Sequence, residues 1–543
     1  MYPYLHNRVP DWIMLSWEGG AYRERPVEGR ISTQDVTVTT LPGEEQMSIQ
    51  VTAHTTPLRF IKVRWKTEEP FTGRFLGDAW ERVYGDAGWT NTVPYKAMPW
   101  YFLAEKDGET AGYGVKVRTG SMAFWQADPA GVTLWLDVRC GGDGVILGGR
   151  TLEAATVVSR VYEDCSPYEA ACRFCKVMCT DPLLPPHPVY GSNNWYYAYG
   201  HSSEQEILAD TDYLCRLTEG LENRPYMVID DCWQPNRCDA YIGGPWDRGN
   251  ERFPDMAALA QKLKEKGTRP GIWFRPLLDE RSPDIPQEWR ISYNGALDPS
   301  HPQVLAKLKA DVERICQWGY QLIKHDFSTF DCFGGWGFSM QPFVTHNGWH
   351  FYDRGKTSAE ILVQMYRTIL EAAQPYGTLI LGCNTVGHLA AGLEHMQRTG
   401  DDTSGLLWER TFRMGTNALA FRMPQHRAFF DCDADCLGVT GEIPWSLNRM
   451  WGELLGKSGT SLFVSVKPGV LSPEEEAELR EFLRAGSVQA HCAEPLDWQE
   501  TIYPQTWKTG DEVLHYNWYQ EFGLREVRGP GGIWEQMGEQ SVF

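Results

Sequence analysis

A chain of 543 residues is too long for one hydrophobic core, and two or three domains are expected of it. With 42% hydrophobic and 22% charged residues it is globular, and its formal net charge of −20 at pH 7 argues against nucleic acid or an anionic membrane surface as a partner, because those are gripped by clustered Lys and Arg. A neutral polar ligand is compatible, and 23 Trp supply flat indole faces on which pyranose rings stack, although core packing accounts for most Trp.

The opening stretch, MYPYLHNRVPDWIML, lacks the basic segment and apolar run of a secretory signal. No apolar run reaches the ~18 residues of a membrane span. The expectation is a cytoplasmic protein whose fourteen scattered Cys are reduced thiols. One Cys-x-x-Cys occurs, at Cys172 and Cys175 with Cys179 following; its spacing is helical and no second ligand pair stands nearby, so no metal site is assigned.

Residues 1–185 read as an antiparallel β-sandwich domain. TQDVTVTTL, MSIQVTAHT, LRFIKVRWK, GYGVKVRTG and GVTLWLDVRC alternate apolar and polar residues between Gly-containing turns. A helix, SPYEAACRFCKVMC, leads into the Pro-rich joint DPLLPPHP. Residues 186–488 change texture. Eight short apolar strands, PVYGSNNW, PYMVIDD, RPGIWFRP, YQLIKHDF, TLILGCN, LEHMQRTGDD, RAFFDCDADCLG and TSLFVSVKP, are mostly separated by amphipathic helices such as SEQEILADTDYLCRLTEG and HPQVLAKLKADVERICQWG. That count over about 290 residues is that of a (β/α)8 TIM barrel. A doubly wound sheet competes, but no Gly-rich phosphate turn follows the first strand. SPEEEAELREFLRAG closes the barrel as a helix, and residues 489–543 read as a small C-terminal β domain.

The C-terminal strand tips of such a barrel carry its chemistry. Here they hold Asn193, Asn194 and Trp195; Asp230 and Asp231; Trp273 and Arg275; Lys324 and Asp326; Cys383 and Asn384; and Arg398, Asp401 and Asp402. Two carboxylates across one cavity are the equipment of glycoside hydrolysis. Alternation along the strand puts Lys324 and Asp326 on one inward face and turns His325 toward the helical shell. An internal ion pair closing the barrel top is the structural alternative for Lys324 and Asp326. Adjacent Asp230 and Asp231 repel unless hydroxyls or cations meet them; a solvated loop is the bland alternative.

The barrel resembles glycoside hydrolase family 36, in the clan of retaining α-galactosidases. The similar stretches are WYYAYGHSSEQEIL, VIDDCWQ, FPDMAALAQKLKEKGTRPGIWFRP, IKHDF, LILGCN, RTGDDTS and DCDADCLG, in the family's order across residues 190–470. The resemblance implies an exo-acting hydrolase releasing terminal α-galactose by double displacement. Asp326 is then the nucleophile and Asp402 the acid/base, with Asp401 the second candidate. Lys324 bonds sugar hydroxyls and keeps Asp326 ionised, Arg398 grips a ring hydroxyl, and Asp230 and Asp231 take the hydroxyls at carbons 4 and 6. Trp195 and Trp273 wall the pocket, Trp246 lies at its edge, and Cys383 faces the sugar's 2-position.

Retention implies carboxyl groups ~5–5.5 Å apart, and an Asp402 pKa raised by Asp326 and by burial. No metal or organic cofactor is implied. The partner is an oligosaccharide or glycoside, and a homo-oligomer is compatible. An α-N-acetylgalactosaminidase, a β-L-arabinopyranosidase and a sugar transferase of the raffinose-synthase type share this equipment. A catalytically inactive carbohydrate-binding protein is the alternative of a different class, against which the retained acid pair speaks. DDCWQPNRCDAYIGGPWD and the 29-residue stretch at 327–355 depart from the family's better-known loops. The second follows the nucleophile strand and reshapes the leaving-group side; His346, Trp349 and His350 within it read as structural.

Overall fold

The structure, a computed structural model, describes residues 2–235, 243–279, 282, 284–340, 343–521 and 523. Two antiparallel sheets form the N-terminal region. Six strands (Gly20–Glu24, Trp12–Trp17, Leu58–Lys66, Gly131–Asp137, Met122–Asp128, Met98–Pro99, in spatial order) make one. Seven make the other, in the order Arg30–Ser32, Val36–Leu41, Met47–Ala53, Thr151–Tyr162, Glu109–Val115, Tyr101–Lys106, Arg74–Gly77. Met47–Ala53 shows why: Met47, Ile49, Val51 and Ala53 are buried while Ser48, Gln50 and Thr52 lie on the wetter face. The helix Pro167–Met178 follows, started by Pro at its first turn and by Ser166, whose hydroxyl accepts from the Glu169 amide at 3.2 Å.

The barrel is closed by eight parallel strands: Tyr190–Asn193, Tyr226–Ile229, Arg269–Phe274, Leu322–His325, Leu379–Gly382, Met396–Arg398, Asp431–Val439 and Ser461–Val466. Alternation decides what fills it. Tyr226, Val228, Leu322, Leu379, Leu381, Met396 and Phe463 pack together as its interior. Two residues further along the same faces come Asp230, Lys324, Cys383 and Arg398. An apolar plug therefore sits beneath a charged mouth.

The helices read from the sequence form where apolar stripes and caps coincide. Ser358–Ala373 begins with a Thr357–Glu360 capping box, and Pro473–Val488 with a Ser472–Glu475 box. Two helices were not anticipated, Trp408–Arg422 and Trp445–Lys457. Neither has a side-chain cap, and the first is buried on nearly every face, so no polar stripe marks it. Ala493–Pro495, Thr506–Thr509 and Glu512–His515 make a small C-terminal antiparallel sheet.

Among the described residues no helix is long and apolar enough to cross a membrane. Cys172, Cys175 and Cys179 are free thiols on or capping one helix. Cys232 is disulfide-bonded, against the expectation that the thiols are reduced; spacing arguments detect ligand pairs, whereas a disulfide depends on where loops bring two side chains. Gly191 of the first barrel strand admits no side chain, since a Cβ there would lie 1.9 Å from the Tyr226 carbonyl oxygen. Gly191→Ala is expected to lower unfolding free energy by about 3 kcal/mol or more, read by urea titration of tryptophan fluorescence.

Candidate active site

Strand four ends the apolar plug with Lys324. Its ammonium donates to Asp230 Oδ2 at 2.7 Å, across the barrel from strand two. Burial pushes Lys324 down, but Asp230, then Cys383 and Asp326, hold it well above its ordinary value. Lys324 thus pairs with Asp230 rather than closing an ion pair with Asp326. His325 points the other way, as alternation predicts: its Nε2 lies 3.0 Å from Glu394 Oε1, and its ring neighbours Tyr366 of the helix Ser358–Ala373.

Asp326 is half-buried. Its Oδ2 accepts from Trp273 Nε1 at 3.2 Å and its Oδ1 from the Phe327 amide at 2.7 Å. Phe327 adopts φ 62°, which lets the chain turn sharply behind the carboxylate. Trp273 holds the carboxylate by that hydrogen bond. Trp195 is half-buried at the rim, 5.5 Å from the Tyr199 ring.

Asp230 is bound on all sides. Asn193 Nδ2 donates to its Oδ2 at 2.6 Å, the Asp231 amide to its Oδ1 at 2.9 Å, and its own amide donates to Asn194 Oδ1 at 2.9 Å. Asp231 accepts from Gln234 Nε2 at 2.8 Å, yet burial, aided by Asp230, pushes its carboxyl up to about 6.

The strand-six tip supplies Arg398, which is 2% exposed. One of its nitrogens reaches Asp435 at 2.6 Å and Asp402 at 2.8 Å, and the other reaches Cys383 Sγ at 3.7 Å. Arg398 is therefore committed to carboxylates rather than standing free to grip a hydroxyl. Cys383 lies under the mouth, its thiol pushed well up by burial and then by Asp326.

The two neighbouring acids differ. Asp401 is clamped between Arg410 at 2.9 Å and Arg82 at 3.4 Å. Asp402 keeps its close contact with Arg398, and 42% of its side chain faces solvent. Desolvation pushes the Asp402 carboxyl up, but Arg398, Arg82, Arg410 and Lys324 together hold it at about 2. That reverses the sequence expectation of a raised value, because four cations converge on this carboxylate where Asp326 and burial alone were expected to act on it.

Trp246 lies away from the pocket edge. It is 1% exposed, packed behind the wall against Trp233, Trp273 and Phe274 with ring centroids 5.7, 5.9 and 5.1 Å away. The loop between Asp231 and Trp246 falls partly outside the described residues. In the insertion, Trp349 and His346 pack on Tyr293 at 4.6 and 4.9 Å, as structural residues do.

Several residues at the mouth were not picked out from sequence. Asp435, on strand seven, takes φ 75° at a register shift and accepts from the Thr403 amide at 2.6 Å. Its stretch, DCDADCLG, carried a readable signal; three acids in a strand need partners. Glu81 and Arg82 come from the N-terminal region, where Val83 bridges to Gly400 in parallel. Nothing in DAWERVYG announces that contact.

No protein-family model matches the chain. In fold it is similar to TtGalA, an α-galactosidase from Thermus thermophilus in complex with p-nitrophenyl α-D-galactopyranoside, at 17% identity and a TM-score of 0.59 over 90% of this chain and 99% of that one. The galactosidase domain of AgaSK, an α-galactosidase–sucrose kinase, is 14% identical with a TM-score of 0.59 over 92% and 75%. A family 31 sulfoquinovosidase from E. rectale is 11% identical with a TM-score of 0.53 over 94% and 87%. The chain shares the fold of these enzymes.

Replacing Arg398 by Met leaves Asp435 buried without its cation. The expected cost is about 3–5 kcal/mol, with the Asp402 carboxyl rising from about 2; thermal unfolding and carboxylate-resolved NMR titration measure both.

Proposed function

We propose that this protein is a retaining glycoside hydrolase that releases terminal α-galactose, with Asp326 as nucleophile and Asp402 as acid/base. What supports the reading is position: Asp326 and Asp402 follow the C-terminal tips of strands four and six, at the same end of one closed parallel barrel, and the Lys324 charge acts on both.

Asp326 attacks the anomeric carbon as an ionised carboxylate, held by Trp273 and the Phe327 amide. Asp402 protonates the leaving oxygen, and a covalent glycosyl-enzyme forms. Asp402 then deprotonates the water that releases the sugar with retained configuration. The exposed Asp402 is favoured over Asp401, whose oxygens are taken by two arginines. In the empty mouth Asp402 is ionised; a bound sugar displaces water from it and moves its pKa toward that of an acid. In this reading ring hydroxyls are met by Asp231 and by the Lys324–Asp230 pair.

Family 31 enzymes among the fold neighbours, one of them a dextranase, favour a second reading, an α-glucoside as substrate. A panel of p-nitrophenyl α- and β-glycosides, with NMR of the first-formed anomer, decides between them. α-Galactoside turnover with an α-anomer product is expected, and a β-anomer as first product removes the retaining mechanism. Asp326→Ala is expected to abolish turnover with folding intact; near-normal rates would reject the assignment. Asp402→Asn is expected to lower kcat by roughly 10²–10⁴-fold on unactivated substrates and less on aryl glycosides.

Asp231 sets a pH limb. Its raised carboxyl stabilises the fold below the ordinary value near 3.8, a contribution lost as pH rises through about 6. Sugar binding runs the opposite way, because the ionised form is the better hydroxyl acceptor. kcat/KM is expected to fall as pH drops below about 6, and Asp231→Asn to remove that limb from the pH profile.

A further inference from the structure

The insertion after strand four carries a row of aromatic rings that the chemistry above does not use. Phe327, the residue after the proposed nucleophile, has its ring 5.4 Å from that of Trp336. Phe330 lies 4.7 Å from the same indole. The Arg82 guanidinium lies 5.4 Å from the Trp336 ring and 5.7 Å from that of Tyr84. Tyr84 in turn meets Phe338 edge-on at 4.9 Å. The same Arg82 stands 3.4 Å from Asp401 and 3.9 Å from Asp402. The row therefore runs from the carboxylate that attacks to the carboxylate that protonates the departing oxygen.

Its rings are only partly covered. Phe327, Phe330, Trp336 and Tyr84 are half-buried, and Phe338 is 53% exposed. The row is also held rigidly from the other domain. The Glu81 carboxylate, with no exposed surface, accepts from the Gly337 amide at 2.8 Å and binds the Tyr84 hydroxyl and the Asn384 amide group. Gly337 is required there, since a Cβ would lie 2.6 Å from Glu81 Cγ. A fully desolvated carboxylate is costly to bury, and here it is spent on fixing one exposed aromatic turn beside an acidic mouth.

We propose that Trp336 and Phe338, backed by Phe327 and Tyr84, form a leaving-group subsite that takes a flat-faced ring by stacking, and that Glu81 is the positioning residue that holds it. The shared ligand chemistry is a ring with an apolar face, supplied by a second pyranose or by an aryl aglycone. This rests on the glycoside-hydrolase reading. Binding energy gathered there, remote from the reacting carbon, orients the scissile oxygen under Asp402.

The test uses the full chain and three substrates of one glycone: melibiose with a pyranose leaving group, p-nitrophenyl α-galactoside with an aryl one, and α-galactosyl fluoride with no ring. Trp336→Ala is expected to lower kcat/KM at least about tenfold on a ring-bearing leaving group and to leave the fluoride within about twofold. Phe338→Ala, a surface change, is expected to show the same pattern more weakly, Trp336→Phe to recover most of the loss, and Glu81→Gln to follow Trp336→Ala. Loss on melibiose alone identifies a pyranose, and loss on the aryl substrate alone an aryl group. Equal change on all three substrates, or none, overturns the subsite. If wild type turns over only the gluco-configured counterparts, the galactose reading falls and the same variants are scored on that set. No turnover of either set overturns the hydrolase reading and the subsite with it.

Discussion

Alternation along eight parallel strands is the constraint on which everything else in this protein depends. On strands two, four and six the inward face carries apolar residues low in the barrel and ionisable ones at the top, as Leu322, Lys324 and Asp326 do along strand four. Closing the barrel brings these tips together in a space where few of them reach water. They must then neutralise one another or be neutralised by a ligand. Lys324 with Asp230 and Arg398 with Asp435 are the internal solutions. Asp326, Asp402 and Asp231 are less completely covered than these pairs.

The electrostatics of the mouth are cooperative rather than pairwise. A cation two residues from a carboxylate does not have to be its partner; Lys324 bridges to Asp230 and acts on Asp326 and Asp402 through space. Arg398 likewise serves Asp435 and Asp402 at once. The outcome is an acid pair in which the acid/base candidate is ionised in the free protein, and the acidic partner with a raised pKa is Asp231. Proton placement therefore depends on what occupies the mouth.

The N-terminal sheets contribute to this site as well as flanking the barrel. Val83 extends the strand-six tip by a parallel bridge to Gly400, Arg82 fills the space between Asp401 and Asp402, and Glu81 ties in the insertion and Asn384 of strand five. A segment from another domain thus decides which of two adjacent aspartates is left with open surface. Two of the motifs read from strand tips, RTGDDTS and DCDADCLG, take their final form only against that segment and against each other.

Sequence by itself determined the layers: sandwich strands by alternation, barrel strands and most helices by period, and the inward sense of Lys324 and outward sense of His325. These follow from local periodicity, which the backbone enforces within a few residues. It did not disclose Trp408–Arg422, which is buried on nearly every face and so shows no polar stripe, or Trp445–Lys457, which has no side-chain cap to mark its start. Nor did it assign partners. Trp246 behind the wall, Lys324 on Asp230, Asp401 between two arginines and the depressed Asp402 were decided by tertiary structure alone. Partnership and pKa depend on distances between residues tens to hundreds of positions apart, and no local pattern carries those distances.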